Sequence, residues 1–166
     1  MNAKSLYEED FHAWALEQAR VLRELGQRVA LPNELDLQHV AEEVEDLGNE
    51  QRFQVESNLR QAMIHLIKIA AFPDNPAVAH WLQEVNAFLD TAQERFSQSM
   101  TRAISVQRLW ERSVRRVAAD MRVAGKPVPE MPADVPFSLD MLIAGDPDPR
   151  TLADQIRAAM PSPEAP

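Results

Sequence analysis

One short stretch of the sequence, residues 39–50, carries side chains that could hold a metal ion. Its candidate ligands are His39, Glu42, Glu43, Asp46 and Glu50. All of them except Glu42 follow one another at spacings of four, three and four, so a helix would present them on one face. Carboxylate oxygens and imidazole nitrogens are ligands that divalent metals take in proteins. We therefore treat this face, together with His65 further along the chain, as a candidate divalent metal site.

The same acidic face has a simpler explanation. A metal ion inside a helical bundle needs ligands from at least two helices, and the sequence shows no evident second contributor. Residues 42–46 also match part of the magnesium-binding signature of helical nucleotide pyrophosphohydrolases, but the later Glu-x-x-Asp element is missing from the third predicted helix. We favour an acidic surface that is solvated or paired with arginines.

A second candidate site is the pair Arg60 and His65, which are separated by four residues. The same spacing occurs in helical ribonucleases of the HEPN type, where the two residues act on an RNA phosphate and its 2′-hydroxyl. Here the pair lies in an apolar stretch between Leu59 and Ile69. A core histidine that bonds a neighbouring helix explains the same pattern, and we favour that interpretation.

Charge is distributed unevenly along the chain, whose formal net charge is −9. Residues 8–50 contain twelve acidic residues and three arginines, whereas residues 95–126 contain eight basic residues and two acidic ones. The overall negative charge disfavours broad attraction to nucleic acid or to an anionic membrane. We expect the basic segment to neutralise the acidic one across the fold. The alternatives are that the basic segment recognises a protein partner or a nucleic acid.

Composition excludes several classes of chemistry. The sequence has no cysteine, which removes disulfides, thiolate metal sites and cysteine nucleophiles. With four glycines in all, it has neither a phosphate-binding loop nor a Gly-x-Ser-x-Gly nucleophile turn. No apolar run approaches the length of a membrane span, and the first residues do not resemble a signal peptide. We therefore expect a cytoplasmic protein.

Apolar residues recur every three or four positions over most of the chain, which is the spacing of amphipathic helices. The pattern predicts four long helices, over approximately residues 6–27, 36–70, 76–96 and 99–123. Gly48 lies within the second apolar stripe, and we expect a bend or break there. Strand patterns are absent. We therefore predict an all-α fold, an antiparallel bundle of about four long helices.

The composition changes after Gly125, because nine of the twelve prolines lie between Pro127 and Pro166. We expect residues 1–126 to form the helical bundle and residues 127–166 to form a proline-rich tail docked on the same domain. Residues 137–143 are too apolar to remain in water, which favours a short helix or turn there. A second short helix is expected over residues 151–160, and the last residues of the chain are expected to fray.

Several landmarks follow one another along the chain in an order typical of one bacterial family. They are Tyr7-Glu8-Glu9-Asp10-Phe11 with Trp14, Asp36-Leu37 before Glu42-Glu43-Val44-Glu45, Ser57 and Leu59 before His65-Leu66-Ile67-Lys68, Trp81, and Pro136-Phe137-Ser138-Leu139 with Leu142. This set resembles the domain-of-unknown-function family 29 over nearly the whole chain, from Leu6 to Pro149. The resemblance implies an all-helical fold and no assigned activity.

Two functional hypotheses from different classes remain. We favour a non-catalytic bacterial helical module for protein–protein interaction or an accessory role, which binds a protein partner or a second copy of itself and needs no cofactor. We expect neither a nucleic acid nor a membrane as its partner. The alternative is a metal- or RNA-dependent hydrolase that uses the acidic face of the second helix or the Arg60 and His65 pair.

Overall fold

Helices account for the regular structure of this protein. A computed structural model describes residues 3–30 and 32–161, and no strand occurs within those ranges. The helices found there are α1 (Ala3–Glu9), α2 (Phe11–Arg28), α3 (Leu37–Ala71), α4 (Val78–Arg95), α5 (Val106–Val123), α6 (Leu139–Ile143) and α7 (Pro149–Ala159). None of these helices combines the length and the hydropathy that crossing a membrane requires. The all-α prediction is confirmed, while the packing of α2 to α5 as one antiparallel bundle stays a prediction.

The first predicted helix is divided at Asp10. This residue has a non-helical backbone (φ −149°, ψ 84°), and its carboxylate accepts a hydrogen bond from the amide of Ala13 at 2.9 Å. An acidic side chain in this position satisfies one of the amides that a helix start leaves free. Asp10 therefore ends α1 and caps α2, although the apolar spacing runs through both helices without interruption.

Helix α3 is 35 residues long and continues through Gly48, so the break considered there does not occur. A Cβ added to Gly48 would lie 2.8 Å from Cβ of Ala15 and 3.4 Å from the carbonyl oxygen of His12, both in α2. The glycine is therefore required by the close approach of two helices. Its cost to the helix, about 1 kcal/mol relative to alanine, is too small to interrupt so long an element.

Polar side chains accept backbone hydrogen bonds just before α4 and at the start of α5. Asn75 accepts a hydrogen bond from the amide of Ala77 at 2.9 Å, just before α4. The fourth long helix begins later than predicted, because residues Gln98–Arg102 form a separate 3-10 helix. Helix α5 follows Ser105, whose hydroxyl oxygen accepts from the amide of Arg108 at 3.3 Å. The start of α5 is thus explained by a side-chain acceptor for an amide in its first turn, whereas the bond to Asn75 belongs to the turn before α4.

The C-terminal segment contains the two short helices that the sequence predicts. Helix α6 is capped by Ser138, and α7 begins at Pro149 directly after its cap, Asp148. The backbone amide at the first position of a helix has no hydrogen-bond partner within the helix. Proline suits this position because it loses no hydrogen bond by lacking the amide hydrogen. The fraying predicted for the end of the chain concerns residues 161–166, of which residues 162–166 lie outside the described residues.

The segment after α5 is anchored by hydrogen bonds from long side chains. The indole N–H of Trp110 donates to the carbonyl of Pro132 at 2.9 Å, and its ring meets Phe137 edge-on with centroids 6.1 Å apart. Arg157 of α7 donates to the carbonyl of Ala70 at 3.3 Å, near the end of α3. Trp110 is 1% exposed, so this aromatic contact is part of the core.

The chain divides into two compact units. Unit 1 consists of Met1–Gln54 and Arg95–Ile104, and unit 2 consists of Val55–Glu94 and Ser105–Pro166. Among the described residues 26 apolar residues are buried, and five of them belong to unit 1: Ala15, Ala19, Ala41, Met100 and Ile104. Unit 2 contains the other 21, among them most of the large ones. Residue 126, the predicted end of the bundle, lies inside unit 2.

Candidate functional site

The first acidic candidates lie at the exposed start of α3, in unit 1. His39 Nδ1 is 2.6 Å from a carboxylate oxygen of Asp36, and this hydrogen bond raises the pKa of His39. Glu42 accepts a hydrogen bond from the amide group of Gln38 at 3.2 Å. Both contacts join residues three or four apart, as in an ordinary solvated helix surface.

The remaining acidic candidates have few partners of their own. Glu43 and Asp46 form neither a hydrogen bond nor an ion pair within the described ranges, and Glu50 accepts a long bond of 3.5 Å from Gln54. All three side chains are exposed. None of these three carboxylates therefore forms an ion pair within the described part of the chain, although Arg95 lines one groove together with Glu50.

These acidic residues and the histidines do not form a metal-binding group. Among residues 3–30 and 32–161, no three histidine or acidic side chains come together in a way that could hold a metal ion. The physical reason is that His39, Glu43, Asp46 and Glu50 point outward from one exposed helix, and ligand sets of this kind draw on at least two. His65 belongs to unit 2 and lies elsewhere on α3. Metal binding at this face stays the alternative that the sequence left open beside the favoured solvated acidic surface.

Two large apolar side chains lie among the acids of α3. Leu47 is 53% exposed and Phe53 is 55% exposed. Leu47, Glu50 and Phe53 are spaced by three residues, so they form one ridge along the helix surface, which we call the α3 ridge. The guanidinium carbon of Arg52 lies 4.5 Å from the ring centroid of Phe53, at a distance typical of a cation–π contact.

Two surface grooves share residues of the α3 ridge. A groove of about 340 Å³ is lined by Leu47, Glu50 and Phe53 together with Glu43, Asp46 and Asn49. A second groove, of about 260 Å³, is lined by Leu47 and Glu50 together with Phe11, Gln51, Gln54 and Arg95. The sequence pattern indicates the acids but does not predict that Leu47 and Phe53 lie at the surface. Leu47 fits the apolar stripe of α3, so its spacing alone predicts burial.

Arg60 and His65 lie in unit 2, where they line one pocket of about 220 Å³. The other polar residues of its wall are Gln61, Lys68, Arg116 and Asp120. Lys68 belongs to α3, and Arg116 and Asp120 belong to α5. The structure therefore brings the predicted pair to one site and adds two cations that the sequence spacing did not indicate.

The surroundings of His65 favour its neutral form. Its side chain is 14% exposed, its Nε2 is 3.8 Å from a carboxylate oxygen of Glu84, and its ring stacks on Phe88. Its Nδ1 is buried and has no hydrogen-bond partner within the described residues. Burial lowers the pKa of His65, and the charge of Lys68 lowers it further, against the opposing effect of Glu84.

A partly buried polar network in unit 1 was not predicted from sequence. The hydroxyl of Ser99 donates to Asp10 at 2.8 Å, and its oxygen lies 2.7 Å from Nδ1 of His12. The amide of Ser99 also donates to Asp10 at 3.0 Å. Asp10 and Ser99 are 89 positions apart, so no local pattern could pair them.

This network is structural in character. His12 is 3% exposed, and its pKa is lowered by burial. Burial also opposes ionisation of Asp10, but the hydrogen bonds from Ala13 and Ser99 outweigh it and lower the pKa of this carboxyl. A serine, a histidine and a carboxylate are present, yet the serine contacts the other two directly, whereas a catalytic triad places the histidine between them. The network fixes the 3-10 helix against the start of α2.

Comparisons with known proteins agree with this architecture. An alpha-helical protein of unknown function from Rhodospirillum rubrum, whose crystal structure was determined at 1.45 Å resolution, is similar with a TM-score of 0.83 and 27% sequence identity. The similarity covers 90% of this chain and 96% of that chain. No curated protein matches. The family model described as Domain of unknown function DUF29 matches residues 6–146, and the chain therefore belongs to that family.

Proposed function

We propose that this chain is a non-catalytic interaction module whose α3 ridge binds a basic amphipathic helix of a partner protein. The observation that carries the proposal is the exposure of Leu47 and Phe53 beside Glu43, Asp46 and Glu50. Apolar side chains of this size gain free energy when a partner removes them from water, at about 25 cal/mol for each Å² of apolar surface.

The distribution of exposed apolar residues supports an interaction surface on unit 1. Among the described residues, eleven large apolar residues are exposed, and eight of them belong to unit 1: Tyr7, Val21, Leu25, Val29, Leu35, Val40, Leu47 and Phe53. A single exposed leucine is ordinary on any protein surface. Concentration of such residues in the unit with the smaller core favours recognition of a partner.

Charge favours a basic partner. Glu17 and Glu24 of the same unit already pair with Arg20, and Glu45 pairs with Arg23. Glu43, Asp46 and Glu50 form no such ion pair in the part of the chain that the structure describes, and the cation that lines a groove with Glu50 is Arg95. Complementary charges accelerate association and fix the orientation of a bound partner, while the apolar contacts supply most of the affinity.

The shape of the site fits a helix. An amphipathic helix inserts apolar side chains at spacings of three and four residues into grooves on its partner. The α3 ridge has grooves of about 340 Å³ and 260 Å³ that share Leu47 and Glu50. Leucine side chains of the partner would occupy these grooves, and its lysines or arginines would face Glu43, Asp46 and Glu50.

The proposal is tested with a fluorescent model helix. The probe is a peptide of about five helical turns, built from leucine at helical spacing and lysine elsewhere, and fluorescence anisotropy measures its binding. We expect saturable binding to the wild-type protein. Leu47→Ala and Phe53→Ala should each raise the Kd about ten-fold, which corresponds to about 1.4 kcal/mol.

Two controls separate this site from general attraction. Val123 is 91% exposed and belongs to unit 2, so Val123→Ala should leave the Kd unchanged. A peptide of the same composition with its leucines out of helical register should bind much more weakly. Equal binding of the two peptides would contradict the proposal. A Kd that is the same for the wild type, Leu47→Ala and Phe53→Ala would also contradict it. Self-association that Leu47→Ala and Phe53→Ala abolish would instead assign the ridge to a second copy of the chain.

A further inference from the structure

The pocket in unit 2 is rich in cationic side chains, and none of them takes part in the proposed interaction. It is lined by Arg60, Gln61, His65 and Lys68 of α3 and by Arg116 and Asp120 of α5. Three of these side chains carry a permanent positive charge and one carries a negative charge. A concave site with such an excess of cations attracts anions.

Only one of the cations is neutralised nearby. Arg116 Nε lies 3.0 Å from a carboxylate oxygen of Asp120, four residues along α5. Arg60 and Lys68 form no ion pair within the described ranges, and Glu84 contacts His65 without lining the pocket. Two positive charges in the pocket therefore remain without a counter-charge.

The donors of the pocket wall come from two helices, α3 and α5. Arg60 and Lys68 are eight residues apart, so they lie on one face of α3 about two turns from each other. Arg116 contacts Asp120 through Nε, and its two terminal nitrogens have no hydrogen-bond partner in the described part of the chain. A guanidinium with free terminal nitrogens matches two oxygens of a tetrahedral oxyanion, whereas an ammonium binds it as a point charge.

Charge and size narrow the class of ligand. Two surplus positive charges match a phosphoryl group, which carries a charge between −1.5 and −2 near neutral pH, as phosphorylated side chains do. The pocket volume of about 220 Å³ lies below the range of about 300–1,000 Å³ for sites that enclose drug-sized ligands. The site therefore suits a phosphoryl group with at most a small organic substituent.

We propose that this pocket is a binding site for a single phosphoryl dianion, held by Arg60, Lys68 and Arg116 and supplied as free phosphate or as a small phosphomonoester. The proposal requires no hydrolysis. It is independent of the helix-binding surface, because its residues belong to unit 2 and the α3 ridge belongs to unit 1.

Isothermal titration calorimetry of the full-length protein tests the site. One arm titrates inorganic phosphate and the other titrates glycerol 3-phosphate, with chloride at the same ionic strength as the reference anion. We expect saturable binding in at least one arm and none with chloride. The arm with the lower Kd identifies the source of the phosphoryl group.

Two charge-neutral variants and a matched control locate the binding. Arg116→Gln and Lys68→Gln should each weaken phosphate binding at least ten-fold. Arg115 is exposed on the same helix and does not line the pocket, so Arg115→Gln should change the Kd by less than two-fold. The side chain of Arg116 is 64% exposed, so its variant should keep the unfolding temperature of the wild type, which thermal denaturation in chloride measures.

Several results would overturn the proposal. They are the absence of saturable heat with both phosphate ligands, equal effects of chloride, and a Kd that Arg116→Gln and Lys68→Gln leave unchanged. A single-stranded RNA that binds the same residues more tightly than either small ligand would reassign the pocket to a nucleic acid backbone.

Discussion

Units 1 and 2 differ in the side chains with which their helices pack. In unit 1 the contact between α2 and α3 uses Ala15 and Gly48, and the buried apolar set also includes Ala19 and Ala41. In unit 2 the fully buried side chains include Trp110 and Leu59. Small residues allow helix backbones to approach closely, but they remove little apolar surface from water.

This difference explains where large apolar residues remain outside. Among the described residues, unit 1 buries only two large apolar side chains, Met100 and Ile104, and keeps Leu47 and Phe53 about half exposed, whereas unit 2 buries most of its large side chains. A close helix contact through small residues leaves the opposite helix faces free for a partner. An apolar stripe on a helix therefore does not by itself identify the residues that become core.

The largest expected effect comes from removing the aromatic core of unit 2. Trp110→Ala should lower the free energy of unfolding by about 3–5 kcal/mol, because it leaves a cavity and removes the bond to Pro132. Phe53→Ala in unit 1 should change it by no more than about 0.5 kcal/mol, because Phe53 is exposed. Urea denaturation of both variants measures the difference. Similar losses for the two variants would contradict the contrast between the units.

The polar network of unit 1 should give the next largest effect. Asp10→Ala removes the cap of α2 and both hydrogen bonds to Ser99, and we expect it to cost about 2 kcal/mol. Asp10→Asn keeps one acceptor oxygen and should cost less. Denaturant titration of the two variants at neutral pH compares them. Equal stabilities of Asp10→Ala and the wild type would show that the network contributes nothing.

Gly48→Ala tests the close helix contact directly. Overpacking costs about 1–3 kcal/mol and the gain in helix propensity is about 1 kcal/mol, so we expect a net loss of about 1 kcal/mol. Gly26 is exposed on α2, so we expect Gly26→Ala to show no such loss, and it serves as the control. Adding Ala15→Gly to Gly48→Ala should restore part of the stability, because it removes the opposing Cβ. A higher free energy of unfolding for Gly48→Ala than for the wild type would contradict a close contact between Gly48 and Ala15.

The smallest effects concern pH, and they have opposite signs at two histidines. Burial lowers the pKa of His65 in the folded protein, so on acidification the unfolded chain binds this proton first. The free energy of unfolding therefore decreases as pH falls below the ordinary pKa of histidine. Asp36 raises the pKa of His39 in the folded protein, so the hydrogen bond between them stabilises the fold at low pH. This stabilisation is lost as pH rises through the folded-state pKa of His39.

Unfolding temperatures between pH 5 and pH 8 distinguish the two histidines. Relative to the wild type, His65→Asn should lose less stability on acidification, and His39→Asn should lose less on going from low to neutral pH. Each difference should be at most a few degrees. The same sign for both variants would contradict the environments that the structure gives them.

Much of the fold was predictable because helix formation depends on neighbouring residues. The spacing of apolar residues located α2 to α5, and the landmarks from Tyr7 to Leu142 indicated the family. Candidate sites were predicted less well. Arg60 and His65 were identified by their spacing, but Lys68 and Arg116 carried no signal that would join them to that pair before the pocket was known.

The sequence by itself determined that the chain is helical, where most of its helices lie and to which family it belongs, because periodicity and composition are local properties. Tertiary structure decided that Gly48 accommodates Ala15, that Ser99 bonds Asp10 across 89 positions, and that Arg116 of α5 joins Arg60 at one pocket. These contacts join segments distant in sequence, and they follow from how helices pack, which local spacing does not encode.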